Sequence, residues 1–174
     1  MHHGTAAPRT TIKRNMDLPK RKIIRAPFHD YSGGDYFVTI CCYDKRCHFG
    51  KIYDNEMHFS TIGRVAQHEL ETLATHYDYA EVMEFIVMPN HVHAIIRIFT
   101  DKSVDLPKIR TVLGVVVGGY KQAVTRFARR NGITFEWQAR FNDHFIRGAW
   151  DGNRIVEYIH NNVSRWSSDC FYAT

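Results

Sequence analysis

At 174 residues with 44% hydrophobic content, the chain has the size and composition of one soluble globular domain that needs no disulfide or metal staple. Its four cysteines (Cys41, Cys42, Cys47, Cys170) form no C-x-x-C pair, which argues against a zinc module or a disulfide framework, and no apolar run reaches membrane-spanning length. The net charge of +5 fits a polyanionic partner. With no secretory-type apolar segment at the amino terminus, the expected compartment is the cytoplasm.

Residues 1–30 are polar and basic, with Arg9, Lys13, Arg14, Lys20, Arg21, Lys22 and Arg25 set against Asp17. Pro8, Pro19 and Pro27 oppose a long helix, so this part reads as an extended arm, either a solvated tail or one that touches nucleic acid. The domain proper is expected over residues 31–174. Aromatic and β-branched residues predict a strand over 36–43, and a hairpin follows over 49–53 and 56–59, turning at Asp54-Asn55. Residues 61–76 read as a helix, capped by Ser60 or Thr61, with Ile62, Val65, Ala66, Leu70 and Leu73 on one stripe. Strands are predicted over 84–88 and 92–98, joined by a Pro89-Asn90 turn.

A longer helix is predicted over 106–130, where Ile109, Val112, Leu113, Val116, Tyr120, Ala123, Val124 and Phe127 recur at helical steps. The periodicity stays in phase across Gly118-Gly119, and Asn131-Gly132 ends it. A short apolar piece near residues 145–146 precedes a last helix, which starts near Asp151 or Asn153 and runs to about Trp166. This order predicts an α+β architecture: one antiparallel sheet with helices mainly on one face.

The richest stretch chemically is Pro89-Asn90-His91-Val92-His93. Residues two apart on a strand share a face, so His91 and His93 project together while Val92 packs on the opposite side. Two neutral imidazoles can hold two corners of a divalent-cation site. Other histidine-x-histidine schemes fail on particular residues. An oxygenase would need a glutamate where Arg97 and Phe99 stand, an alternating three-histidine hydrolase would need histidine at Ile95, and a zinc module would need nearer cysteines than Cys47.

The last helix offers a partner for the pair. Ile155, Val156, Ile159 and Val163 make its apolar stripe, and Tyr158 and Asn162, four apart, lie along one border of it. An amide oxygen suits a hard cation and a phenol can act as a nucleophile, or the tyrosine can be a half-buried packing residue. Tyr120 is the rival nucleophile, but it falls in the middle of its helix's apolar stripe.

Three blocks together resemble a known family. Pro89-Asn90-His91-Val92-His93 is similar to the histidine-hydrophobic-histidine (HUH) motif of single-tyrosine HUH transposases, and Tyr158-Ile159-His160-Asn161-Asn162 resembles their tyrosine helix motif. Trp137-Gln138, Phe141, Asp143-His144 and Ile146-Arg147 resemble a block of the REP-associated tyrosine transposases. The likeness covers residues 22–166. One departure is Val163, where the family commonly has a proline after the asparagine; valine lets the helix continue for a turn.

The resemblance implies a ferredoxin-like fold, a Mg2+ or Mn2+ ion held by His91, His93 and Asn162, and Tyr158 as the nucleophile of a 5′-phosphotyrosine intermediate. It implies cleavage and rejoining of single-stranded DNA at hairpin-forming repeats, in the cytoplasm at the nucleoid, by a monomer or a homodimer. Arg21, Lys22, Arg25, Lys121, Arg140, His144 and Arg147 are the candidate DNA contacts, and His144 is also a candidate base for the phenol. Two other classes fit parts of the sequence. One is a sequence-specific DNA-binding protein without strand transfer. The other is an RNA-binding module with Tyr36 and Phe37 as stacking aromatics, and it leaves the joint occurrence of His91, His93, Tyr158 and Asn162 without a reason.

Overall fold

A computed structural model of the protein describes residues 33–99 and 111–173. The basic arm with Arg21, Lys22 and Arg25, and residues 106–110 of the expected long helix with Ile109, lie outside the described residues.

Alternation of side chains builds the sheet. On β1 (Gly34–Cys41), Tyr36, Val38 and Ile40 enter the main core, and Phe37, Thr39 and Cys41 take the opposite face. β5 (His91–Ile98) repeats the pattern with Val92, Ala94, Ile96 and Ile98 in the core and His91 and His93 on the other side. With β4 (Ala80–Val87) and β6 (Asn142–Phe145), the sheet runs β4-β5-β1-β6, and every neighbouring pair is antiparallel. The hairpin β2 (Gly50–Tyr53) and β3 (Glu56–Phe59) stands apart as its own ribbon, and Asp54 and Asn55 both adopt positive φ, as a tight hairpin turn requires.

Helices α1 (Thr61–Glu71) and α2 (Val112–Arg130) cover one face of the sheet, placing Ile62, Ala66 and Leu70, and Leu113, Val116, Tyr120 and Val124, in the same core. The result is a ferredoxin-like α+β fold. Ser60 caps α1 by accepting from the Gly63 amide at 3.1 Å, and α2 passes unbroken through Gly118-Gly119. α3 (Gly148–His160) lies on the other face and packs against β4, where His160 Nε2 meets Glu84 Oε2 at 3.1 Å.

Several sequence expectations need correction here. The helix expected over 61–76 stops at Glu71, where the chain tightens into a 3-10 turn over Leu73–Thr75, and the helix expected over 106–130 begins at Val112, because Thr111 is extended and caps it through its side chain. α3 begins at Gly148, ahead of Asp151, and it ends at His160 instead of continuing to Trp166. Val163 therefore does not prolong it: Asn161 turns its side-chain amide back onto the Glu157 carbonyl at 2.9 Å, and the Asn162 amide bonds to the Ile159 carbonyl at 3.2 Å, closing a tighter last turn. The strand expected over 84–88 starts four residues earlier, at Ala80, because a register shift between Val82 and Glu84 interrupts the alternation.

Gly63 decides how closely α1 approaches the hairpin, since a Cβ on it would run into the backbone carbonyl of Phe49. Gly63→Ala should destabilise the protein by about 1–3 kcal/mol in urea unfolding. Unchanged stability would mean that the Phe49 segment gives way at no cost.

Candidate active site

The side of the sheet that carries His91 and His93 is roofed by α3 and by the chain that follows it. Register places Thr39 opposite His93 and Cys41 opposite His91. Tyr158 comes down from α3, and its Oη lies 3.2 Å from His93 Nε2. The other ring nitrogen of His93, Nδ1, is 2.9 Å from Thr39 Oγ1. Phe37 stacks on the His93 ring at 5.2 Å between centroids and meets the Tyr158 ring edge-on at 6.1 Å, so a single aromatic side chain steadies both groups.

His91 is held differently. Its Nδ1 lies 2.9 Å from Asn90 Oδ1, while the Asn90 Nδ2 donates to the carbonyls of Lys45 at 2.9 Å and Phe171 at 2.8 Å. The Phe171 ring covers His91 at 4.5 Å between centroids, with Trp166 beyond it at 6.2 Å. Lys45 Nζ fastens this carboxy-terminal cover by donating to the Cys170 carbonyl at 2.8 Å. Both imidazoles are consequently almost sealed from solvent, 0% exposed for His91 and 1% for His93, whereas Tyr158 remains 38% exposed.

Burial sets the electrostatics. Desolvation pushes the His91 pKa down to about 2, helped by His93 beside it, and the His93 pKa down to about 3, so both rings are neutral at any physiological pH. The Tyr158 phenol is raised by burial, and the nearby Asn162 side chain opposes that shift. Asn162 itself lies past the end of α3, 2% exposed. Its amide sits beside the phenol without meeting it in good hydrogen-bond geometry: Asn162 Oδ1 and Nδ2, like His91 Nε2, have no hydrogen-bond partner among the described residues.

Such orphaned buried atoms are rare and costly unless something else satisfies them. Neutral imidazole nitrogen and amide oxygen are donors that a divalent cation accepts, so the residues present fit one. Among the described residues no cluster of three or more His, Cys, Asp or Glu could hold a metal ion. A set of two imidazoles and one amide leaves coordination positions for substrate oxygens.

The remaining candidates are more scattered. His144 faces the same side as Phe37, its register partner, but its Nε2 is engaged by Asp151 Oδ2 at 2.7 Å, and the same oxygen accepts the Arg147 amide at 3.1 Å. That hydrogen bond to His144 holds the Asp151 carboxyl below its usual pKa. Asp151 precedes Tyr158 by seven residues on α3, about 10 Å along the axis. His144 therefore anchors the helix start, and the group in contact with the phenol is His93. Arg140 and Arg147 are exposed, while Lys121 directs its ammonium to the Gln138 and Ala139 carbonyls at 2.5 and 3.5 Å.

Tyr120 is 4% exposed within the core and its pKa is raised by complete burial, so the rival hydroxyl is enclosed by packing. Trp137 is likewise a core residue, packed on Phe49 and Tyr120 with its indole N–H on the Lys121 carbonyl. Tyr36 is fully buried and donates to the Gly33 carbonyl, which removes half of the stacking platform that an RNA-binding sheet would use. Sequence reasoning missed Thr39, the side chain of Asn90 and Phe171. Only Asn90, inside the histidine motif, carried any local signal.

A Haemophilus influenzae protein of uncharacterized function is 33% identical to this chain over 177 residues, spanning 93% of the chain and 98% of that protein. No family model matches the chain. Among solved structures, a REP-associated tyrosine transposase bound to a REP hairpin superposes with a TM-score of 0.55 at 22% identity, covering 77% of this chain and 68% of that one.

Proposed function

This chain belongs to one family with the Haemophilus influenzae protein and has the fold of a REP-associated tyrosine transposase; from that premise we propose that it is a metal-dependent, single-stranded DNA endonuclease and strand transferase acting on hairpin-forming repeats. The observation that carries the reading is the 3.2 Å approach of the Tyr158 hydroxyl to His93, beside a second buried imidazole with an unpartnered nitrogen.

His91, His93 and Asn162 would hold Mg2+ or Mn2+. When bound, the ion supplies positive charge to the phosphoryl oxygens as negative charge builds on them. The protein's own groups do the rest. Tyr158 attacks phosphorus in line, the P–O3′ bond breaks, and the phosphate remains on the phenol as a 5′-phosphotyrosine. Over the whole step the phenolic proton ends on the departing 3′ oxygen. Burial keeps the phenol protonated at rest, with its oxygen against His93 Nε2. One lone pair serves one partner at a time, so the phenol leaves His93 when that imidazole takes up its ligand role. The ester formed resembles the bond broken, and a 3′-hydroxyl attacking it reverses the step and joins strands without ATP.

The Phe171 ring lies over His91, so an approach to that imidazole from this side requires the ring to shift. Exposed Arg140 and Arg147, together with His144 and Lys121, are proposed phosphate contacts, supplemented by Arg21, Lys22 and Arg25 of the arm over residues 1–30, with 31–174 as the catalytic domain. Tyr158 reaches a histidine of its own chain, which suits a monomer or a homodimer with two such sites. Among the described residues no helix is long and apolar enough to cross a membrane, and the proposed place of action is the cytoplasm, at the nucleoid.

Incubation with a single-stranded hairpin DNA and Mn2+, followed by a denaturing gel, tests the reading. The enzyme gives a protein band shifted by covalent DNA; a non-catalytic DNA-binding protein retards the hairpin on a native gel and gives no covalent band. Removing residues 1–26 should weaken hairpin binding and reduce the slope of log K against log salt by about 0.7 for each phosphate that the arm neutralises. An unchanged slope would return the arm to a solvated tail.

A further inference from the structure

Hydrogen-bond partners fix which nitrogen of His91 carries the proton. Asn90 Nδ2 donates to two carbonyl oxygens, those of Lys45 and Phe171. A carbonyl oxygen only accepts, so the amide cannot be flipped, and the atom turned toward His91 must be Oδ1. Oδ1 in turn accepts only, so His91 Nδ1 carries the hydrogen. Its Nε2 is left with a lone pair, buried and without a partner among the described residues.

His93 reaches the same state by a different route. Its two ring nitrogens face two hydroxyls, Thr39 Oγ1 at 2.9 Å and Tyr158 Oη at 3.2 Å. A phenol is a far stronger hydrogen donor than an aliphatic hydroxyl, and an imidazole lone pair is the strongest acceptor present. The favoured arrangement has the phenol donating to Nε2 and Nδ1–H donating to Thr39. The threonine position is forced by strand register, Thr39 standing opposite His93 in the β1–β5 pair.

We propose that Thr39 and Asn90 are positioning residues that hold both imidazoles as Nδ1–H tautomers, so that both Nε2 lone pairs are available to one divalent cation. The inference rests on the cation-dependent reading above and adds to it the residues that orient the ligands. Groups in this position usually fix ring orientation and raise ligand basicity, and their loss costs about 10–100-fold in metal affinity.

The test begins on the full chain, metal-free and uniformly 15N-labelled, with long-range 1H–15N spectra of the imidazoles. His91 and His93 should both show a protonated Nδ1; a protonated Nε2 on either ring overturns the proposal. In Asn90→Leu the His91 ring should lose its fixed tautomer. A His91 ring unmoved in Asn90→Leu removes Asn90 from the role.

Mn2+ titration followed by electron paramagnetic resonance supplies the second readout. Thr39→Val should raise the Mn2+ Kd about 10–100-fold, with Thr39→Ser staying near the parent protein. Equal Kd values for Thr39→Val and the parent overturn the positioning role. A parent protein that takes up no Mn2+ overturns the cation reading itself and the ligand role with it, while the ring spectra still judge the tautomers.

Discussion

Tyr158→Phe should form no covalent adduct with hairpin DNA, a loss on the order of 10^4–10^6-fold in cleavage, while hairpin binding stays close to that of the parent protein. The expectation follows from how little else the hydroxyl does. Tyr158 is 38% exposed and its oxygen makes one good hydrogen bond, to His93. Losing that bond costs about 1 kcal/mol of stability, and the ring that meets Phe37 edge-on is retained. Folding and DNA affinity should therefore survive, as thermal unfolding and native gels would show. An adduct that persists in Tyr158→Phe would move the nucleophile elsewhere, and not to Tyr120, which the core encloses.

Acid should weaken the fold steeply below about pH 6.5. In the unfolded chain both imidazoles titrate at their ordinary value, whereas in the fold burial pushes His91 down to about 2 and His93 down to about 3. Between those limits the unfolded state binds protons that the native state refuses, so stability falls as pH falls. Each imidazole contributes about 1.4 kcal/mol per pH unit. From pH 6.5 to pH 5 that is about 2 kcal/mol for each ring and up to roughly 4 kcal/mol for the pair, a large share of a typical domain's stability. Urea unfolding at pH 7 and pH 5 checks it: the double variant His91→Gln, His93→Gln should lose much less on acidification than the parent. Equal losses would place the acid sensitivity outside this site.

The sheet and the two core helices are legible because their signals are local. Alternation on 36–43 and 92–98 and the three- and four-residue steps of α2 each specify an element without reference to the rest of the chain. β4 is harder, since its bulge leaves Met83 45% exposed within the strand and breaks the period. α3 is harder still. Its start carries no side-chain cap, and the Asp151 carboxylate instead reaches back to the Arg147 amide, so the usual capping signal points three residues too late.

Much of the site was legible as residue types. His91 and His93 share a strand face by parity, and Tyr158 and Asn162 stand out as polar groups bordering an apolar stripe. What the residues alone do not give is the side of the sheet on which α3 docks. With all helices on one face, Tyr158 and His93 would be separated by the sheet; the contact exists because α3 takes the face left free by α1 and α2. Thr39 became visible only through register, and Phe171 only through the return of the chain end over His91. Long-range placement of this kind has no periodicity to betray it.

Peptide mapping of the covalent product addresses the phenol's role most directly. The protein is incubated with Mn2+ and a single-stranded hairpin substrate, the adduct is isolated under denaturing conditions, and DNA and protein are digested for mass spectrometry. The 5′-phosphate of the residual nucleotide should be found on the tryptic peptide 155–165, at Tyr158. Recovery of the nucleotide on any other residue, or cleaved DNA with no nucleotide left on the protein, would contradict the account.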